Sequence, residues 1–145
     1  MRWLAIVLAG AAFLAVSVGL TFLLRPGSDE RAAVAALIRA QARGDVAAML
    51  AALPGCSARP ACLDEVGHNA AALRHPGAVE VLQFTPSSRL TVGEGTGLAR
   101  IAWRVGSAAT VVQCVRVRHG GGPLGGRSTT LLSLSAPIDP SSGCR

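Results

Sequence analysis

The sequence contains no tyrosine and no lysine. Aromatic residues make up only 3% of its 145 residues, and beyond residue 28 they are Phe84 and Trp103 alone. Without tyrosine there is no phenolic donor for an oxyanion of the isomerase kind. With so few aromatics there is little on which to stack bases, so nucleic acid is not an expected partner. No nucleophile elbow, phosphate loop, C-x-x-C redox pair or zinc-protease helix occurs. No internal repeat or long linker is present. The charged fraction of 15% is low and the apolar fraction of 50% is high, which excludes a disordered tail.

Charge is also missing locally. Trp3 to Leu24 carries none and reads WLAIVLAGAAFLAVSVGLTFLL. As a helix it would rise about 33 Å, enough to cross a hydrocarbon core. Residues 1–25 are therefore expected to be a membrane anchor, residues 26–29 a short linker, and residues 30–145 one extracytoplasmic domain. Arg2 and the amine before the segment, against Arg25 and then Asp29 and Glu30 after it, favour a single pass with the N-terminus in the cytoplasm. A cleaved signal peptide would carry a shorter apolar core and a polar cleavage region. Were the segment cleaved, the domain would be secreted. No cysteine lies near the segment, which excludes a lipoprotein anchor. Ala11, Ala15 and Gly19 repeat every four residues, a spacing at which two helices can pair as a homodimer.

Cys56, Cys62, Cys114 and Cys144 all follow that segment, and an even count in an exported domain points to disulfides. Cys56 and Cys62 flank a short loop held by Pro60 and are expected to pair. A hairpin centred near residue 122 would set Ala136 across from about Thr110. Pro137 and Pro140 would then turn the chain back and bring Cys144 to the level of Cys114. Loop entropy gives about 2 kcal/mol for the small ring and about 3.5 kcal/mol for the large one. The spacing of Cys56, Cys62 and His68 is not a zinc pattern, so neither metal nor cofactor is expected.

Val34, Leu37 and Ile38 mark a helix over residues 30–43, capped by Gly44. Asp45 suits the N-cap of a second helix carrying Met49, Leu50 and Leu53. A third is expected over residues 63–74. From Gly77 the period becomes two. Strands are expected at residues 79–84, 98–105, 110–118 and 129–135, with a shorter one at 89–92. Ile101, Trp103 and Val105 would share one face, and Arg100 and Arg104 the other. Val115 and Val117 would likewise oppose Cys114, Arg116 and Arg118. Helices followed by consecutive strands give an α+β fold: about three helices packed on a curved antiparallel sheet of four to five strands.

The order of Ala42-Arg43-Gly44-Asp45 after the first helix, Met49-Leu50 in the second, and a sheet after Gly77 resembles the ketosteroid-isomerase/nuclear-transport-factor-like cone fold. The segment VVQCVRVRHGGGPLGGRSTTLLSLSAPI resembles small membrane-anchored proteins of high-GC bacteria. The likeness covers about residues 30–138; the four cysteines depart from the superfamily's general pattern. It implies a cone open to a small ligand, and in the family's enzymes acids, histidines or tyrosines projecting into that cone.

Asp64 and His68, one helical turn apart, are the weak catalytic candidates for a small isomerase or hydrolase. Ile101, Trp103, Val115 and Val117 are candidates for an apolar pocket lining, or equally for a plain core. Arg100, Arg104, Arg116 and Arg118 are candidates for an anion-binding patch. His119, beside the glycine run, is expected to be an exposed loop residue. The favoured expectation is a non-catalytic, membrane-anchored domain binding an envelope protein or a small apolar ligand.

Overall fold

The structure is a computed structural model that describes residues 28–87, 95–121 and 128–145, together with residues 10 and 13. Apart from residues 10 and 13, the expected anchor lies outside the described residues, as do its small-residue repeat and the short strand at 89–92. Among the described residues, no helix is long and apolar enough to cross a membrane.

Among residues 28–145 as described, three helices, α1 (Ser28–Arg43), α2 (Val46–Ala52) and α3 (Pro60–Ala72), precede four strands. These are β1 (Val79–Thr85), β2 (Gly95–Val105), β3 (Val111–Gly120) and β4 (Ser128–Leu134). The strands form one antiparallel sheet in chain order, β1-β2-β3-β4. The fold is therefore α+β, as the pattern implies.

Glycine and aspartate make the first helix junction. Gly44 has φ +71°, a conformation that costs a residue without Cβ little. Its N–H donates to Gln41 and that of Asp45 donates to Ala40, at 2.8 and 2.9 Å. This reciprocal pair satisfies carbonyls at the end of α1. Asp45 then caps α2, its Oδ1 accepting from the Ala48 N–H at 2.9 Å. The third helix starts three residues earlier than expected. Pro60 occupies its first turn, where the missing N–H has no cost and the fixed φ suits the helix. The disulfide loop thus closes onto the helix itself.

The inward stripe of α1 comprises Glu30, Val34, Leu37, Ile38 and Gln41, all buried. It meets Ala99, Ile101, Trp103 and Val105 of β2 and Val115 and Val117 of β3. The alternation read from the sequence holds: Ile101, Trp103, Val115 and Val117 have no exposed surface. They are core.

The β3–β4 hairpin sits in a different register from the expected one. His119 pairs with Thr129, and Ile138 bridges to Val112. The expected centre near residue 122 is therefore too early. A bulge beside Arg116 and Val117 adds a further offset, because an extra residue shifts all later pairing. The disulfides nevertheless form as expected, Cys56–Cys62 and Cys114–Cys144. After Ile138 the chain turns and crosses the sheet face opposite the helices. Cys144 is bonded to Cys114 there, and the Pro140 carbonyl accepts from Arg100.

Candidate functional site

Among the described residues, four polar side chains are buried: Glu30, Gln41, Asn69 and Gln113. Gln113 falls on the inward face of β3 between Val111 and Val115. Its Oε1 accepts from Gln41 Nε2 at 2.9 Å and from Trp103 Nε1 at 3.0 Å. Its Nε2 donates to Gln41 Oε1 at 3.3 Å and to the Ser135 carbonyl at 2.8 Å. An amide offers two donors and two acceptor sites, so Gln113 is fully satisfied. Asn69 Nδ2 donates to the same Ser135 carbonyl at 3.1 Å. This network joins α1, α3, β2 and β3 at the centre, where a ligand-binding cone would need space.

A second cluster lies at the end of the sheet where α1 begins. Glu30 Oε1 accepts from the Ser87 N–H at 2.8 Å. Its Oε2 is 3.4 Å from His119 Nε2. Ser87 Oγ is 2.7 Å from that same nitrogen. Gly97 makes the approach feasible, since a Cβ there would stand 2.6 Å from the Ser87 carbonyl oxygen. His119 is thus a β3 residue, its side chain 24% exposed, and not the exposed loop residue expected from its glycine neighbours. The constellation resembles a serine–histidine–acid set in composition only. A charge-relay histidine receives the acid at Nδ1 and the hydroxyl at Nε2; here both approach Nε2. The geometry ties α1 to the segment that follows β1 and to β3, and gives no activated nucleophile.

Asp64 and His68 both lie on the exposed side of α3, and among the described residues no hydrogen bond joins them. The pair does not face the sheet. The four arginines do share the outer sheet face, but they are not equivalent. Arg104 pairs with Glu80 at 2.9 Å. Arg100 is held by the Pro140 carbonyl at 2.5 Å and by Gln83 at 3.4 Å. Arg116 and Arg118 remain exposed. Arg100 and Arg104 thus have partners within the chain, on Gln83 and the Pro140 carbonyl and on Glu80.

A surface groove was not foreseen. It lies between α3 and the edge strand β4 and has a volume of about 430 Å³. Arg59, Ala61, Cys62 and Glu65 line one side, and residues 133–136 the other. Two hydrogen bonds clamp its flanks: Arg59 Nη2 donates to the Leu132 carbonyl at 2.6 Å, and Asn69 to that of Ser135. Between the clamps the side chains are mostly small, so helix and strand stand apart. One readable trace of this is the small residues Ser133, Ser135 and Ala136 around Leu134, where β4 ends.

Comparison of the chain with protein-family models, with curated proteins and with solved structures gives no match.

Proposed function

We propose that the chain is a non-catalytic binding or adaptor domain, held outside the cytoplasm on a membrane by residues 3–24. The observation that carries the reading is the closed cystine set. All four cysteines are paired and none is free, a state that persists in oxidising compartments. An extracytoplasmic site and an apolar anchor are mutually consistent.

The cone-fold likeness belongs to this proposal, supported by three helices on one face of an antiparallel sheet. Binding is assigned to the surface because Trp103 and the Gln41–Gln113 pair occupy the interior. No observation favours an isomerase or hydrolase at Asp64 and His68.

The test is a topology experiment on the full chain expressed in bacteria. Protease added to spheroplasts should digest the domain, and the intact chain should stay with the membrane after a carbonate wash. Thiol alkylation without reductant should leave the mass unchanged. A protease-protected domain with four alkylated thiols would overturn the reading.

A further inference from the structure

We propose that the outer face of the sheet, at the end nearest the tether, docks on anionic headgroups of the membrane that holds the chain, through Arg116 and Arg118. The proposal rests on the anchored-domain reading and deepens it. It adds which surface the domain turns to the bilayer and which lipid charge that surface selects.

The tether decides which end of the domain is near the bilayer. α1 begins at Ser28, four residues beyond the apolar run that ends at Leu24. Four extended residues span at most about 14 Å. Glu30, in the first turn of α1, accepts from the Ser87 N–H just beyond β1 and lies 3.4 Å from His119 near the end of β3. The end of β1, the start of β2, the end of β3 and the start of β4 therefore gather around that first turn. The other end of the 16-residue helix is about 24 Å away.

Charge is graded along the outer face from that end. Arg118 stands level with Thr96 of β2, and Arg116 with Leu98; Arg100 and Arg104 follow farther along. The two farther arginines are occupied, Arg104 by Glu80 and Arg100 by Gln83 and the Pro140 carbonyl. The two nearer ones are exposed. Their cross-strand neighbours are Thr96, Leu98, Thr130 and Ser133, none of them acidic. Among the described residues neither Arg116 nor Arg118 takes part in an ion pair. On the helix side of the same end, exposed Asp29 and Arg31 offset one another. The sheet thus keeps its uncommitted positive charge where the tether enters.

The chemistry of the pair suits phosphate. Arg116 and Arg118 are alternate residues of one strand, about 7 Å apart on one face. Their guanidinium forks match phosphate oxygens. Thr96 and Thr130, directly across from Arg118, share its face and add hydroxyl donors beside it. Tethering favours lipid over an acidic protein as the occupant. Headgroups are always within reach of the linker, so docking is an intramolecular step that two charges suffice to bias. Each arginine at an anionic surface shifts that equilibrium about fivefold. A protein in dilute solution would have to be captured by the same two charges alone.

The test uses the full chain in bilayer nanodiscs, of phosphatidylcholine alone or mixed with phosphatidylglycerol, each with a trace of gadolinium-chelating lipid. Amide NMR signals broaden where the domain approaches the bilayer. Thr96, Arg116, Arg118 and Thr130 should broaden more in the anionic discs, and about 0.5 M salt should remove the excess. Arg116→Gln with Arg118→Gln should move the docked-to-free ratio about 25-fold toward free. Arg39→Gln with Arg74→Gln removes the same charge from other exposed positions and should leave the broadening in place. A dispersed amide spectrum confirms that each variant folds. Equal broadening in the two lipids would overturn the proposal, and so would an equal loss in the two double variants. Broadening indifferent to lipid charge, with the Arg116 and Arg118 amides shifted by added polyglutamate, would assign the face to an acidic protein and overturn it too. A chain that carbonate strips from membranes overturns the anchored reading together with this one. An anchored chain whose broadening ignores lipid charge overturns this one alone.

Discussion

Gln113 is the residue whose loss separates a structural network from incidental contacts most clearly. Replacing it with leucine keeps roughly the same volume and removes all four of its hydrogen bonds. The Ser135 carbonyl retains Asn69. Trp103 Nε1 and the Gln41 amide lose their partners. Gln41 can turn its carbonyl toward Trp103 and recover part of the loss. Each buried polar group left alone costs about 1–3 kcal/mol, so Gln113→Leu should cost about 3 kcal/mol. For a domain of this length that is a fall in Tm of about 12 °C. Gln41→Leu is different. Gln113 Oε1 keeps Trp103 and its Nε2 keeps Ser135, so the loss should be about 1 kcal/mol. In the double variant Trp103 alone is left without a partner. Its cost should fall below the sum of the singles by about 1–2 kcal/mol, the mark of residues sharing one network. Urea unfolding of the fully oxidised proteins measures all three. Equal costs for the two single variants, or additive costs in the double, would refute the reasoning.

Other outcomes follow from the same structure. Replacing both Cys114 and Cys144 by serine should lower stability by about 3.5 kcal/mol, and the Cys56 and Cys62 pair by about 2 kcal/mol, because the first ring encloses more chain; urea midpoints at matched slope decide the order. Gly97→Ala should cost about 1–3 kcal/mol and displace Ser87, since the new methyl meets the Ser87 backbone; amide exchange at Ser87 and chemical shifts at His119 report the displacement. The Asp139 carboxyl is held below the usual 3.8 by the Ser141 hydroxyl and then by the Ser141 N–H. The folded state therefore binds this proton less readily than the unfolded chain. The turn's contribution is fully present above the unfolded value of 3.8 and is lost as pH falls through the lowered folded value, which a titration of the Ser141 amide shift would show.

The sheet was legible because period-two alternation states which side chains face inward, and Ile101, Trp103, Val115 and Val117 obey it. The cystine pairs were legible from a short loop and an approximate hairpin level, which tolerated a wrong register. The bulge at Arg116 and Val117 leaves no compositional mark, so the register itself was not readable. Gln113 did leave a mark: a glutamine between two inward valines asks for a buried partner. Its partner, Gln41, is 72 positions away in sequence, and nothing local names it. His119 was misread because glycines follow it directly, whereas its role depends on Glu30 and Ser87 from other elements. The groove is a product of small side chains between two clamps, and both clamps are long-range bonds.

The bond between Cys114 and Cys144 has a consequence for how two molecules can meet. It encloses the β3–β4 hairpin, its turn and the returning tail in one covalent ring with a sequence separation of 30. Exchange of β4 between neighbouring copies would require that ring to open or one hairpin to thread through another. Once oxidised, each molecule keeps its own last strand. Exchange is then confined to the interval before the ring closes, so crowded nascent chains that oxidise late are the ones exposed to it.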